Sequence, residues 1–511
     1  MGNLLLGIDI GTYSSKGVLC LPDGTVLAEH TLEHDLALPH PGWAEQDADR
    51  VWWEDCANLC RILPAKAGRT GSEIGAVAVS GLGPDLLPLD DQGRPLRPAI
   101  LYGIDTRAQP QIDRLNELFG PDNLNKLSGM NLTSQAIGPK LRWLREAEPE
   151  VYRRTRYVHS CSSYLVYRLT GEYVLDYHTA SHFNPLFDIE RLEWSEKFAG
   201  EIFDLKQLPR LAWPTEIVGE ISAKAAAETG LAAGTPVTCG TIDAVSEGLS
   251  VGVTRPGDLM LMYGTTFFFI LALEKMVSDP RMWLTAFALP GRYCVAGGMS
   301  TTGALTRWFR DQLAADLLEA ERQGGPAAYS RLGEEATGVP PGSRGLLVLP
   351  YFHGERTPIH DPFARGIFAG LTLNHTRADM FRAALEGIAY GVRQNVEVMR
   401  EMGADPRRLV AVGGGTKNRT WLQIVSDVTG LPQDLPARTI GASYGDAFLA
   451  GYASGLIPDF TALDREWVRD VTQIEPNPAN AALYREYFEM YTELYKSTAG
   501  IMHRLGRLAK G

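Results

Sequence analysis

Apolar and polar positions follow two periods along this chain. Residues 4–10 (LLLGIDI) and 14–20 (SSKGVLC) are short apolar runs either side of a Gly-Thr turn, the pattern of two tightly joined strands. Residues 259–273, LMLMYGTTFFFILAL, repeat that plan around Gly264-Thr265-Thr266, and AVAVS at 76–80 reads as a further strand. Elsewhere the period is helical. Trp52, Cys56, Leu59 and Leu63 follow Asp47 and Asp49 at helical spacing, and Pro64 is expected to stop that run. A longer helix is predicted from about 377 to 402. Thr376 and Asp379 make its capping box, Phe381, Leu385, Ile388, Val392, Val396 and Met399 form one apolar stripe, and Gly403 ends it. The stripe reads as a buried core face. A last helical pattern runs from about 479 to 505 through Leu483, Tyr487, Met490 and Leu494. Strands and helices mixed over the whole length, with no low-complexity linker, imply an α/β architecture. The paired hairpins near residues 11 and 265 suggest a boundary within 246–255, dividing the chain into 1–248 and 249–511.

The hairpins carry the first chemistry. A strand–turn–strand of this kind turns backbone N–H groups and hydroxyls toward one spot, as a bound phosphate requires. Glycine lets the backbone come close. Gly11, Thr12, Ser14 and Ser15 supply these groups in the first hairpin, and Gly264 and Thr265 in the second. Two such turns suggest two lobes closing on one polyphosphate. Asp9 ends the first strand. A carboxylate beside a phosphate turn makes sense if Mg²⁺ lies between them; the structural alternative is a turn Asp bonding its own backbone. Lys16 either pairs with phosphate or sits at a strand edge. Asp243, in CGTIDAVSEG, follows a short apolar segment and is placed either to take a proton from a hydroxyl or to cap a helix over 244–250. Residues 408–430 read as a strand, then Gly413-Gly414-Gly415, then a helix from about Arg419. That is a nucleotide-binding arrangement, or a tight strand-to-helix turn. Asn418 stands where GxGxxG would need glycine, so a dinucleotide reading is weak. Gly298 and Gly303 offer another close-approach wall. Asp105 and Arg107, in YGIDTRA, read as an ion pair fixing a loop.

Composition narrows the class. The 511 residues suit two to four domains, and 45% apolar with 22% charged residues is ordinary for a globular protein. A formal charge of −12 argues against nucleic acid or anionic membrane as partner. Of six cysteines only Cys56 and Cys60 are close, at one helical turn, and no second pair completes a metal site. They read as buried reduced thiols of a cytoplasmic protein. No signal peptide is visible, Leu6 breaks the myristoylation pattern, and 259–273 is too short to span a membrane.

Taken together these segments resemble the FGGY family of carbohydrate kinases. The resemblance keeps the family's order through GIDIGTYSSK, PGWAEQDADRVW, LRPAILYGIDTR, PKLRWLREAEPE, the Asp243 turn, MYGTT, LPYFHGERTPIHDPFARGIFAGLTLNHTRADMFRAALEGIAYGVR, GGGTKNRTWLQIVSDVTG and GASYGDAFLAG. Residues 350–393 are most similar to the xylulose kinase branch. The resemblance implies a two-lobed actin/hexokinase-like fold with ribonuclease-H-like cores, ATP and sugar meeting in an interlobe cleft, and Mg²⁺. By motif, Asp243 is the general base, and Asp9 and Asp243 are the metal-side carboxylates. Gly11, Thr12, Ser14, Ser15, Lys16, Gly264 and Thr265 lie on the phosphates; Gly303, Arg307, Gly414 and Asn418 line the adenosine side. The partner expected is a small sugar, xylulose first, and homodimers are common in the family. The substrate side departs from the xylulose kinases. Gly83-Pro84 occupy the usual Met-His pair, Ala244 replaces Asn after the base, and Tyr102 stands where many members have Trp. A lost hydrogen-bond partner shifts discrimination by orders of magnitude. Ribulose, another ketose, a sugar alcohol or an aldonic acid is therefore the alternative, and a catalytically inactive sugar- and nucleotide-binding regulator the reading from another class.

Overall fold

The computed structural model describes residues 2–508. They form two compact units that interleave in sequence. The first is Met1–Thr254, Glu274–Cys294 and Arg438–Arg469; the second is Arg255–Leu273, Val295–Ala437 and Asp470–Gly511. The boundary expected at 248/249 falls close to the first crossing, Thr254 to Arg255, and the chain then passes between the units again. Segment 438–469 returns to the first because its apolar residues pack on the first unit's sheet.

In the first unit, β1 (Leu4–Ile10), β2 (Ser14–Cys20) and β3 (Val26–Glu33) form an antiparallel meander, and the strand Ile74–Gly81 adds parallel to β1. All seven residues of β1 are buried, so it reads as an unbroken apolar run rather than an alternation. Its two faces still differ. Leu4, Leu6, Ile8 and Ile10 join the core that includes Cys56, Leu59, Cys60 and Leu63 of the helix Glu54–Lys66. Leu5 joins Ala447 and Phe448 of the helix Ala442–Ala453 on the other face. Gly7 shares that face, where a Cβ would stand 1.9 Å from the Ser443 carbonyl oxygen. Only glycine admits the helix so closely. Asp9, two residues on, follows the same period toward this helix.

The helix carrying Cys56 and Cys60 runs through Pro64 to Lys66, beyond the expected stop. Pro64 removes only one N–H, and the Ala67 N–H still closes on Leu63, so the last turn survives.

The second unit repeats the strand order. The strand Asp258–Tyr263 is antiparallel to Phe267–Leu273 and parallel to Arg408–Val412, which is parallel to Gln433–Pro436. The helix Arg377–Glu401 has the expected Thr376/Asp379 capping box, and its whole predicted stripe is buried. The last helix spans Ala481–Leu508. Among the described residues, no helix is long and apolar enough to cross a membrane.

Candidate active site

The first hairpin is braced from behind. The Gly11 N–H donates to the Ser14 carbonyl at 3.0 Å. His34 Nε2 lies 3.0 Å from the Gly11 carbonyl, and Gln46 Nε2 donates to the Thr12 carbonyl at 2.8 Å. In a trans peptide the C=O and N–H point opposite ways. Holding these two carbonyls therefore turns the N–H groups of Thr12 and Tyr13 to the opposite side, as an anion site needs. Ser14 is half-buried and Lys16 is exposed, opposite Asp9 in the β1–β2 register. Ser15 differs from expectation: it is buried and donates its hydroxyl to Asp55 at 2.6 Å, so it braces the turn instead of facing outward with Ser14.

The same Asp55 oxygen lies 2.9 Å from His34 Nδ1. Burial opposes a charge on His34, but the hydrogen bonds to Asp55 and to the Gly11 carbonyl outweigh it and hold its pKa above 6.5. Because the folded value is the higher one, the brace contributes fully below pH 6.5 and fades as pH rises through the folded value. Thermal unfolding of His34→Ala across this range should show a deficit of about 1–2 kcal/mol at acid pH that narrows at alkaline pH. A pH-independent deficit would mean that His34 acts through packing alone.

Carboxylates gather at the end of β1. Asp243 is the first residue of the helix Asp243–Ser250 and accepts the Ala244 N–H at 2.7 Å, so it opens this helix and Ile242 occupies the capping position. Glu247 follows on the same face, one turn later. Burial, and then the negative charge of Asp9, push Asp243 well above the ordinary carboxylate range. Burial and Asp9 also push Glu247 to about 7, while burial raises Asp9 itself to about 6 against the Ser80 hydrogen bond and Lys16. Asp446, on the helix Ala442–Ala453, is fully buried and likewise raised by burial. Acids this crowded share protons or take up a cation. Among the described residues, no three His, Cys, Asp or Glu side chains form a ready metal cage. That donor set fits Mg²⁺, which keeps waters and takes one or two carboxylates plus phosphate oxygens.

The substrate-side candidates lie beside Asp243. A Cβ on Gly83 would meet Ile242, which precedes Asp243, at 3.1 Å, and Pro84 is buried. Tyr102 shares a 2.9 Å hydrogen bond with Thr12 Oγ1; burial, with the charges of Asp243 and Asp85 in addition, pushes its hydroxyl up to about 12. Its loop is pinned by the expected ion pair. Arg107 bonds Asp105 at 2.7 Å and Glu45 at 2.8 Å and lies 3.9 Å over the Trp43 ring.

The second unit holds a cavity of about 550 Å³. Gly264, Thr265, Gly303, Arg307, Gly414 and Asn418 all line it. A Cβ on Gly303 would stand 2.3 Å from the Gly264 carbonyl oxygen, so this glycine lets the hairpin turn dock on the helix Gly303–Leu313. Asn418 caps the helix Arg419–Thr429 by accepting the Trp421 N–H at 3.0 Å, which leaves its amide N–H₂ for another partner. Asn418→Ala should weaken ATP binding and cost about 1 kcal/mol of stability, whereas Asn418→Ser should restore the cap alone. Calorimetric ATP affinity unchanged in both variants would remove Asn418 from the nucleotide site.

The sequence reading missed Ser80, Glu247 and Asp446. Glu247 had a legible signal, helical spacing from Asp243. Ser80 meets Asp9 only through the parallel register, and Asp446 meets it only through the fold.

Two α/β units of one strand order, with paired phosphate-type hairpins, define the actin/hexokinase-like class of folds. Within it, the profile of the FGGY family of carbohydrate kinases, N-terminal domain, matches residues 4–249, and its C-terminal counterpart matches 259–454. The chain belongs to this family and is an ATP-dependent carbohydrate kinase. It is 29% identical to xylulose kinase of Lactococcus lactis over 506 residues, covering 98% of each chain. It is 28% identical to gluconokinase of Bacillus subtilis, covering 97% of this chain and 96% of that one. The crystal structure of xylulose kinase from Rhodospirillum rubrum superposes with a TM-score of 0.91 at 33% identity, covering 98% of this chain and all of that one.

Proposed function

We propose that this kinase transfers the γ-phosphoryl group of ATP to a hydroxyl of a ketopentose, with xylulose the first candidate. The observation that carries the reading is the placement of Gly83 against Ile242, which precedes Asp243, with Tyr102 and Asp9 as electrostatic neighbours of Asp243, in a chain similar along its length to xylulose kinases. Asp243, its pKa raised by burial and by the charge of Asp9, accepts the hydroxyl proton as the oxygen attacks. In the first unit the turn at Gly11 and Thr12 would face phosphate, and in the second unit the cavity lined by Gly303, Arg307, Gly414 and Asn418 would take the nucleotide. Positioning and charge stabilisation do most of the work of phosphoryl transfer. Asp9, with Asp243, would hold Mg²⁺, which neutralises charge on the phosphates. The six cysteines are all free and buried, which supports a reducing, cytoplasmic setting.

A second reading has its own support. Gly83-Pro84 offer no polar side chain, and a gluconokinase is about as similar as the xylulose kinases. Another ketose, a sugar alcohol or an aldonic acid would then be the acceptor. ADP release with MgATP against a panel of these compounds decides between them. Turnover on D-xylulose, abolished by Asp243→Asn, is the expected result. Turnover confined to another member of the panel keeps the mechanism and moves the substrate, and no turnover on any compound favours a binding-only protein.

A further inference from the structure

Ser80 stands between two acids. Its Oγ is 2.6 Å from Asp446 Oδ2 and 3.1 Å from Asp9 Oδ1. On the far side, Ser246 donates its hydroxyl to Asp446 Oδ1 at 2.6 Å. Ser246 lies on the helix that begins at Asp243, so one carboxyl group links the strand bearing Ser80, and through Ser80 Asp9, to the helix bearing Asp243.

Counting hydrogens constrains this chain of contacts. A serine hydroxyl has a single hydrogen. Ser246 spends its hydrogen on Asp446, and Ser80 can satisfy only one of its two acids. If both contacts at Ser80 are hydrogen bonds, one acid carries a proton. Asp446 is fully buried while Asp9 retains 9% exposure, and among the described residues no cation pairs with Asp446. The titratable groups on the elements packed around it are Asp9 on β1, Lys16 and Cys20 on β2, and Asp243 and Glu247 on the neighbouring helix. Of these, Asp9 and Asp243 add negative charge that disfavours a second anion.

We infer that Asp446 is an uncharged carboxylic acid that positions Asp9 through Ser80 and ties it to the Asp243 helix through Ser246. Ser246 donates to Asp446 Oδ1, the Asp446 hydroxyl donates to Ser80, and Ser80 donates to Asp9 Oδ1. Three hydrogens serve three contacts, all running toward Asp9. Asp9 has one oxygen fixed by Ser80, which leaves the other for the phosphate side. Hydrogen bonds aligned in one direction strengthen each other. Asp446 is thus a positioning residue, and the inference rests on the reading of Asp9 as the Mg²⁺-side carboxylate.

The test combines infrared difference spectroscopy near neutral pH with calorimetric MgADP binding. An uncharged Asp446 predicts that Asp446→Asn loses a carboxylic-acid carbonyl band and that Asp9→Asn keeps it. Because an amide reproduces the donor and the acceptor, Asp446→Asn should bind MgADP like the parent protein. Ser80→Ala and Asp446→Ala should lose affinity by ~10–100-fold, as groups orienting a metal ligand do. The inference is overturned if Asp446→Asn loses no such band, if Asp9→Asn loses it, if Asp446→Asn binds as poorly as Asp446→Ala, or if Ser80→Ala binds normally. Should Asp9→Asn itself bind MgADP normally, the metal assignment of Asp9 fails, while the infrared result still judges the protonation of Asp446.

Discussion

Asp243→Asn is expected to lower kcat by about 10²–10⁴-fold, the usual contribution of a positioned general base. Asparagine keeps the oxygen that accepts the Ala244 N–H, so the start of the helix Asp243–Ser250 should be undisturbed and the variant should fold. Asp243 does not line the second unit's cavity, the proposed nucleotide site, so calorimetric ATP affinity should stay near the parent value. What disappears is the proton acceptor, together with one of the two carboxylate charges proposed to hold Mg²⁺. ADP release in the presence of sugar is the readout, and near-normal turnover in folded protein would remove Asp243 from that role. Burial and Asp9 push the Asp243 carboxyl up, so in the parent protein the acid limb of kcat/KM should lie above the ordinary carboxylate range and activity should rise with pH through it.

The second large effect is expected at Asp9. Asp9→Asn removes a unit charge from the place where a divalent cation and phosphates would meet. Two unit charges about 4 Å apart at an effective dielectric of about 20 interact by about 4 kcal/mol, of which water returns a part. A loss of roughly 100-fold in kcat, about 2.7 kcal/mol, is the expected net. The apparent Mg²⁺ requirement should rise in the same variant. It should also show a pH–rate limb moved to lower pH, because the charge that raises Asp243 has gone. Lowered turnover at an unaltered Mg²⁺ requirement would mean that Asp9 serves only the protein's internal hydrogen bonding.

Much of the local architecture is legible in the chain. β1 and β2 fall on the predicted 4–10 and 14–20. The capping box at Thr376 and Asp379 starts the long helix where expected, because capping is decided within four residues. The glycine turn at 413–415 leads into a helix at Arg419, as predicted. Pro64 shows the limit of local rules: near a helix end a proline removes a single bond, and packing of Cys56, Leu59 and Leu63 against the sheet carries the helix past it. Ser15 shows another. The hydroxyl run Ser14-Ser15 reads as one phosphate-facing pair, yet successive strand residues point to opposite faces, and Ser15 is drawn inward to Asp55.

The sequence by itself determined the secondary elements, the α/β class, the two phosphate-type turns and, through its ordered motifs, the kinase family. Those properties reside in short windows, where propensity, period and turn chemistry act between near neighbours. The tertiary structure alone decided which groups meet Asp9. Ser80 reaches it through the register of a parallel strand, and Asp446 arrives on a helix from the distant end of the chain, admitted because Gly7 has no side chain. Such encounters depend on the packing of whole elements, and a buried acid acquires its protonation state only from the neighbours that packing supplies.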